Sequence, residues 1–203
     1  VRADVDWLRQ QGWESALKRH LRYGGRVLGI CGGFQILGTH IEDPHGVEGA
    51  PGESVGFGLL DIRTELRREK RLMRVEAKLT CLPLQPDVEG YEIHCGQSRG
   101  AALRSPAITV DDGTYDGAVS DDGQIIGTYL HGVLDHRDAN RAVLRWAGVS
   151  EPSSLDLNEQ RERDLERIAD DIESCLDLDR LLPTLVAAMD HNAKPDSSAG
   201  RRV

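Results

Sequence analysis

The chain has 203 residues, a formal net charge of −9, 39% hydrophobic residues and 29% charged residues. This length allows one domain with a full core plus a short appendage. The acidic balance argues against a nucleic-acid-binding surface. The sequence contains neither an apolar run of about 18 residues nor a signal sequence, so nothing in it points to a membrane or to secretion.

The first predicted elements are a helix and a strand. Residues 4–23 carry apolar side chains at a loosely helical spacing, with Gly12 as an internal weak point and Gly24 at the stop. The short apolar run 26–30 follows directly and predicts a buried strand. A second helix is predicted to begin within a few residues of that strand, so the chain opens with an αβα order.

Cys31 lies on the tight turn between this strand and the helix-compatible segment 34–38. Glycines two residues before and two residues after it, in the order Gly-Ile-Cys-Gly-Gly, are typical of a nucleophile elbow, whose side chain projects above the sheet. The N-terminus of the following helix offers a partial positive charge, which favours the thiolate over the thiol. The alternative is a small buried cysteine whose neighbouring glycines serve only packing.

The middle of the chain is predicted to be rich in strands. Glycine, proline and acidic residues dominate residues 42–58 and indicate a loop close after the elbow helix. Two Asp-Asp-Gly turns further on indicate hairpins. The predicted strands are 58–66, 72–79, 89–95, 108–110, 115–119 and 124–130.

Two helical regions are predicted toward the C-terminus. Residues 138–146 form the first, closed by Gly148, and a heavily charged region with apolar residues at helical spacing continues to residue 188. Small polar residues from 191 onward indicate a disordered tail. We therefore divide the chain into a main domain, a helical extension and a tail, with the boundaries 1–150, 151–190 and 191–203.

A cysteine nucleophile needs a base within hydrogen-bond reach, and two of the seven histidines are well placed to supply one. His94 and His131 each end a strand-like segment, and functional residues in open α/β sheets gather at the carboxyl ends of strands. A structural role is the alternative for each histidine taken alone, because periodicity does not identify the strand end beside Cys31.

Three segments in one order resemble the glutamine amidotransferase domain of the cobyric acid synthase family: LRYGGRVLGICGGFQILG, GYEIHCG and GTYLHGVLD. The resemblance covers about residues 2–182 and implies an α/β fold of the class I glutamine amidotransferase type, a flavodoxin-like sheet with flanking helices. It implies that Cys31 is the nucleophile and His131 its partner. The chemistry implied is attack on the side-chain amide of glutamine, which gives a glutamyl thioester and ammonia.

The resemblance also implies partners outside this domain. Ammonia would pass to an ATP-dependent synthetase domain, where ATP and Mg²⁺ activate carboxylates of a corrin of the adenosylcobyrinic acid diamide class in cobalamin biosynthesis. The amidotransferase domain itself would need no cofactor and no metal. Cobyrinic acid diamide synthases and the amidotransferase subunit acting on cell-wall lipid precursors are related, but the YLHG and YEIH segments together favour cobyric acid synthase.

Two positions beside the nucleophile gain roles from the resemblance. Gly32 is expected to give an oxyanion-hole N–H, and Gln35 matches the position associated with the glutamine pocket, with a solvent-facing residue as the alternative. Family members carry a glycine- and serine-containing loop that helps to form the oxyanion hole, upstream of the segment RADVDWLRQQGW. This chain begins at that segment. We therefore expect an N-terminally truncated fragment with weak glutaminase activity alone, because losing one oxyanion donor costs roughly 10² to 10³ in rate.

The residue that orients the histidine is not evident from the sequence. Many related enzymes carry a glutamate two residues after the catalytic histidine, where this chain, like the cobyric acid synthase branch, has a different residue, Val133. Glu92 and Asp135 are the candidate orienting residues, with surface carboxylates as the alternative, and His94 is a candidate lining residue. Cys95 stands where relatives often carry histidine or methionine, and we interpret it as a tolerated substitution.

Three other functions remain open at this stage. A cysteine hydrolase of the dienelactone or peptidase kind could use the same elbow, and a catalytically silent domain could serve only to dock on a synthetase. A metal-binding module has suitable ligand types but no known ligand spacing. Its ligands would be Cys31, His94, Cys95, His131 and His136.

Overall fold

The structure, a computed structural model, describes residues 1–152 and 156–177. The chain divides into two units, of which the first is Val1–Leu157 and the second begins at Asn158. The helical residues predicted at 178–188 and the predicted tail 191–203 lie outside the described residues.

The described residues form a helical N-terminal segment, a strand-rich middle and C-terminal helices, as the sequence predicts in outline. In chain order the described elements are α1 (Arg2–Gln10), α2 (Trp13–Arg22), β1 (Val27–Ile30), α3 (Gly32–Leu37), β2 (His40–Asp43), β3 (Gly52–Val55), β4 (Arg63–Lys78), β5 (Asp87–Arg99), a 3₁₀ turn (Ala101–Arg104), β6 (Ile108–Val110), β7 (Tyr115–Asp116), β8 (Ala118–Val119), β9 (Ile125–Thr128), β10 (Leu130–His131), α4 (Arg137–Trp146) and α5 (Leu157–Cys175).

The N-terminal segment forms two helices instead of the single helix predicted for residues 4–23. Gly12 separates α1 from α2 with a φ of 80°, a left-handed conformation that glycine adopts readily. Val5 of α1 is completely buried, and Leu8 and Leu17 pack against the same apolar cluster. The predicted apolar stripe is therefore confirmed in part: Trp13 is 51% exposed, and the helix that carries the stripe is broken.

The strands belong to two sheets that meet at one bend. The first sheet has the order β1-β9-β8, and the second runs β10-β5-β4-β2-β3, with β6 paired to β4 and to β7. Pairing is parallel between β1 and β9 and between β2 and β4, whereas β4 and β5 are antiparallel. β9 and β10 are separated only by Tyr129, where the chain passes from one sheet to the other. The predicted α/β class is confirmed, with mixed sheets and flanking helices.

Two stretches of the predicted strand pattern are wrong in detail. The predicted loop 42–58 overlaps the hairpin of β2 and β3, whose residues include only two large apolar side chains, Ile41 and Val55, and so give no apolar alternation. The predicted strands 58–66 and 72–79 are a single strand, β4, which starts at Arg63. Its pairing with β5 shifts between Leu66 and Arg71, where polar residues bulge outward. The two Asp-Asp-Gly turns do join β6 to β7 and β8 to β9, as predicted.

Apolar clusters hold the bend between β9 and β10 from two sides. Leu130 is completely buried in the cluster that includes Val133 and Val143 of α4. Tyr129 is buried in a different cluster, against Phe34 of α3. Because full burial of a large apolar side chain stabilises by about 1.5–3 kcal/mol, these two neighbours fix the backbone that leads into the next residue of β10.

The described part of the second unit is one amphipathic helix. α5 is rich in acidic residues, and its apolar side chains lie at helical spacing and are exposed. These exposed side chains are Leu165, Ile168 and Ile172, followed by Leu176 just beyond the helix. Within residues 1–152 and 156–177, no helix combines the length and the apolar composition that crossing a membrane requires.

Candidate active site

The predicted turn at Cys31 is present and is strained. Cys31 has φ 52° and ψ −110° directly after β1 and at the N-terminal end of α3, a conformation that residues other than glycine rarely adopt. Its N–H donates to the carbonyl of Thr128 at 2.8 Å, which ties the turn to the end of β9. A Cβ added at Gly29 would lie 2.5 Å from Leu37 Cδ1, so the close return of α3 onto β1 requires glycine there.

The sulfur of Cys31 lies in a half-buried site that keeps it protonated. Burial raises the pKa of the Cys31 thiol, and the neighbouring Cys95 and Glu48 raise it further, against the lowering effect of the Gly32 N–H. The prediction that the helix N-terminus favours the thiolate is therefore wrong in its net direction. α3 has only six residues, and its effect is smaller than that of burial. Such a thiol needs a base near neutral pH.

His131 ends β10 beside the same strand that Cys31 contacts. Cys31 Sγ lies 3.7 Å from the carbonyl oxygen of Ile93, and His131 lies opposite Tyr91 in the β10–β5 register. The Nε2 atom of His131 is buried and has no hydrogen-bond partner, so no Nε2 hydrogen bond to Cys31 is formed in this structure. Catalytic hydrogen bonds commonly tighten only when substrate binds.

Gly90 allows the backbone of His131 to lie very close to β5. A Cβ added at Gly90 would come 1.7 Å from the carbonyl oxygen of His131, a distance that no packed atom pair tolerates. The backbone of β10 therefore approaches β5 more closely than any residue with a side chain would permit. The structure places both predicted catalytic residues along residues 90–93 of one strand, at the ends of β1 and β10.

His94, the other candidate histidine, is held by its neighbours in one orientation. Its Nδ1 lies 2.7 Å from the carbonyl oxygen of Gly96. A carbonyl oxygen only accepts, so Nδ1 carries the proton, and Nε2 is the acceptor of the neutral ring. The ring stacks on Tyr129 with centroids 3.8 Å apart and 15° between planes. His94 thus packs against Tyr129, the residue at the bend that leads to His131.

Gln35 and Tyr129 form a buried polar link between α3 and the sheet. Gln35 is only 2% exposed, so the solvent-facing alternative is wrong. Its Nε2 donates to the Tyr129 hydroxyl at 3.3 Å, and that hydroxyl also lies 2.7 Å from Ser98 Oγ. The Oε1 atom of Gln35 is buried without a hydrogen-bond partner. One buried acceptor on the nucleophile's helix therefore has no hydrogen bond within the described residues.

The two candidate orienting carboxylates differ in their surroundings. Glu92 is 5% exposed and forms an ion pair with Arg71, so the surface alternative is wrong for it. Asp135 is half-buried in the turn after His131, and its N–H donates to the Gly132 carbonyl at 2.9 Å. Val133, where many relatives carry glutamate, is buried in the apolar core and leaves no carboxylate at that place.

The sequence analysis did not identify one buried acidic residue, Asp116. Asp116, at the end of β7, is 8% exposed, and burial raises the pKa of its carboxyl group despite several hydrogen bonds. An Asp-Gly pair resembles an ordinary surface turn, so the only signal in the sequence was the position of Asp116 inside the predicted strand 115–119. Of the two tyrosines that precede the candidate histidines, Tyr91 is 50% exposed and Tyr129 is buried.

A cavity of about 860 Å³ lies along β5, and neither Cys31 nor His131 is among its lining residues. It combines aromatic side chains with acidic and basic groups, and it includes Cys95 of β5, which raises the pKa of the Cys31 thiol. Its lining includes Phe34, Arg71, Glu92, His94, Cys95, Ser98, Asp116 and Tyr129. Across residues 1–152 and 156–177, no three histidine, cysteine, aspartate or glutamate side chains are arranged to hold a metal ion. The metal-binding hypothesis therefore finds no ligand cluster in that part of the chain.

The loop after β2 contributes a charge to the nucleophile's surroundings. Asp43 has no exposed surface, and its carboxylate accepts the N–H groups of Val47 at 2.7 Å and Glu48 at 3.0 Å. Burial raises the pKa of Asp43, but these hydrogen bonds and the charge of Arg2 outweigh it and lower the pKa overall. Asp43 thereby holds Glu48, whose charge acts on the Cys31 thiol.

Replacing Asp43 by asparagine is expected to lower the free energy of unfolding at pH 7 by about 1.5–3 kcal/mol, because hydrogen bonds to a charged acceptor are lost. The lowered pKa means that this stabilisation is complete above the unfolded-state value of roughly 3.9 and disappears as pH falls through the folded-state value. Urea unfolding at pH 7 and at pH 3 measures the difference. The difference in free energy of unfolding between wild type and Asp43→Asn should be smaller at pH 3 than at pH 7. The exposed control Asp61→Asn should show no loss of stability at either pH. A loss in Asp43→Asn that does not depend on pH would show that the charge of Asp43 is not its cause.

The fold is similar to a solved structure described as "Crystal structure of glutamine amidotransferase", with a TM-score of 0.50, 17% sequence identity and coverage of 71% of this chain and 73% of that chain. Residues 1–139 match the model of the family described as the CobB/CobQ-like glutamine amidotransferase domain. The molecule is thus an enzyme domain of the glutamine amidotransferase class. Within that class, the chain belongs to the CobB/CobQ-like glutamine amidotransferase domain family, which implies glutamine as its substrate.

Proposed function

We propose that this chain is the glutamine-hydrolysing domain of a cobyric acid synthase, with Cys31 as nucleophile and His131 as general base. The observation that carries the proposal is the strained turn at Cys31, which lies along the same stretch of β5 as a histidine whose Nε2 is buried and unbonded. A protonated thiol and an imidazole nitrogen with no other partner are complementary.

In the proposed first half-reaction, the Cys31 proton moves to His131 Nε2 as Sγ attacks the side-chain amide carbon of glutamine. The oxyanion that forms receives the N–H of Gly32, which already points at the sulfur and lowers its pKa. His131 then gives the proton to the departing amine, so ammonia leaves and a glutamyl thioester remains on Cys31. In the second half-reaction, His131 takes a proton from water and hydroxide attacks the thioester. His131 then returns the proton to the departing Cys31 sulfur, so glutamate is released and the thiol is regenerated.

Gln35 is proposed to contact the bound glutamine. Its Nε2 is engaged by Tyr129, but its buried Oε1 lacks a partner, and an unsatisfied buried acceptor is costly unless a ligand supplies a donor. The ammonium or amide N–H groups of glutamine are donors of that kind. Glu92 and Asp135 are the proposed orienting carboxylates, and His94 is proposed to line the site.

The fate of the ammonia is the part of the proposal that reaches beyond this domain. Ammonia would pass to a cytoplasmic ATP-dependent synthetase domain, where ATP and Mg²⁺ activate corrin carboxylates for amidation. Membership of the CobB/CobQ-like family supports this assignment. The combination of the YEIH and YLHG segments, with Val133 in place of a glutamate, further supports the cobyric acid synthase branch.

Treatment with a diazoketone analogue of glutamine tests the substrate. The analogue is expected to alkylate Cys31 and no other cysteine, and excess glutamine should protect against it. Cys81 is the internal control, because burial raises the pKa of its thiol to about 11 and leaves it inert. The Cys95→Ser variant should label like the wild type.

The alternatives give different results in the same experiment. A Cys31 thiol that ignores the diazoketone but is acylated by ester or lactone substrates would indicate a cysteine hydrolase of another class. Indifference to both reagents would indicate a catalytically silent docking domain. Either result would overturn glutamine as the substrate of this site.

A further inference from the structure

Thr128 joins the two segments that carry the proposed catalytic pair. It is completely buried at the end of β9. Its carbonyl accepts the N–H of Cys31 at 2.8 Å. Its hydroxyl donates to the carboxylate of Asp116 and accepts the N–H of Leu130 at 3.0 Å. One residue therefore binds the nucleophile's turn through its backbone and the start of β10 through its side chain.

Asp116, at the end of β7, completes this arrangement. Its Oδ1 and Oδ2 accept the N–H of Tyr129 at 3.2 and 3.1 Å, in addition to the Thr128 hydroxyl. Burying a carboxylate is unfavourable unless hydrogen bonds compensate, and burial does raise the pKa of Asp116. A bend between two strands does not by itself require a buried carboxylate. The cost of burying Asp116 therefore indicates that its hydrogen bonds have a specific role at this bend.

The bend itself explains what the carboxylate does. The β1–β9 ladder ends at the pair Ile30 and Thr128, and the β10–β5 ladder begins at Leu130 and Glu92. Tyr129 lies between the two ladders, and its N–H is satisfied by Asp116 instead of by a neighbouring strand. The hydrogen bonds of Asp116 and Thr128 therefore determine how the chain turns from the sheet of the cysteine to the sheet of the histidine.

We propose that Asp116 and Thr128 are positioning residues that set the placement of His131 relative to Cys31. The inference rests on the proposed function, because the pair they position is the one assigned to glutamine hydrolysis. Both residues act through the backbone of residues 129–131. Misplacing a catalytic group by about 1 Å can reduce the rate about 10²-fold, so loss of either hydrogen-bonding side chain should appear in kcat.

Two substitutions at Thr128 separate this role from simple packing. Thr128→Val keeps the shape but removes the hydroxyl, which leaves the Asp116 carboxylate and the Leu130 N–H without this partner. Thr128→Ser keeps the hydroxyl and removes a methyl group. We expect kcat for glutamine hydrolysis to fall about 10²-fold in Thr128→Val with KM changed less than about threefold, and Thr128→Ser to retain most of kcat. The reverse order would show a packing role and overturn the proposal.

The pH dependence of Cys31 alkylation by iodoacetamide supplies a readout that needs no glutamine. If the proposal holds, the wild-type profile depends on His131, and the Thr128→Val profile moves to that of His131→Ala. Exposed Asp121→Asn, in the β8–β9 turn, is the matched control and should keep the wild-type profile. Asp116→Asn carries the same test if Thr128→Val does not fold, which circular dichroism determines.

The two readouts distinguish the positioning role from the proposed function. Wild-type protein that does not hydrolyse glutamine but shows His131-dependent alkylation, lost in Thr128→Val, would contradict the substrate and support the positioning role. Glutamine hydrolysis that is unchanged in Thr128→Val or Asp116→Asn would overturn the positioning role alone. Absence of both glutamine hydrolysis and His131-dependent alkylation would overturn both proposals.

Discussion

Replacement of Cys31 by alanine is expected to abolish glutamine-dependent amidation in the enzyme that joins this chain to its proposed synthetase domain, while amidation with added ammonium salts continues. Cys31 would serve only the release of ammonia, so ammonia supplied from solution bypasses its loss. Removing a covalent nucleophile lowers kcat by about 10⁴-fold or more. The two amidation rates, measured with glutamine and with an ammonium salt, give the result directly.

Cys95→Ser is the matched control for this experiment. Cys95 is close enough for its charge to affect the Cys31 thiol, yet it is assigned no chemical step, so both rates should stay within about threefold of wild type. Loss of both activities in Cys31→Ala would contradict the division of labour between the two domains. Glutamine-dependent activity that survives in Cys31→Ala would contradict the nucleophile.

The second large effect is expected for His131→Asn, with a fall in kcat for glutamine hydrolysis of about 10²- to 10⁴-fold. Burial raises the pKa of the Cys31 thiol, so the thiol is protonated at neutral pH and depends on a base. Without the imidazole, residual activity should rise with pH as the thiolate fraction grows, about tenfold per pH unit below the thiol pKa. The pH profiles of kcat for wild type and variant measure both effects.

His136→Asn is the matched control, because the same substitution occurs a few residues away. His136 is the N-cap residue of α4, a position that asparagine favours, so the variant should fold and keep its activity. A His131→Asn variant with wild-type kcat, or with a pH profile parallel to that of wild type, would show that another group removes the thiol proton.

Local patterns predicted the parts of this fold that local interactions determine. The glycines around Cys31 predicted the tight turn, because only glycine lets α3 return so closely onto β1. The helix 138–146 and both Asp-Asp-Gly turns followed from apolar spacing and turn chemistry, and α4 begins at Arg137, one residue before the prediction. The expected glutamine amidotransferase fold is confirmed at the level of its family.

The parts that sequence reasoning missed depend on contacts between distant residues. The charged hairpin of β2 and β3 forms because β2 pairs with β4, not because its own residues alternate. Gln35 and Asp116 are polar residues whose burial arises from helix and sheet packing, which no local pattern reveals. The raised pKa of Cys31 is caused first by burial and then by Cys95 and Glu48, and all three come from packing against distant parts of the chain.

The most direct test of the central claim is to quench the protein with acid during turnover of glutamine and to identify the modified peptide by mass spectrometry. We expect a glutamyl thioester on the peptide that contains Cys31 and on no other cysteine peptide. Turnover that proceeds with Cys31 unmodified, or with the glutamyl group on Cys95, would contradict it.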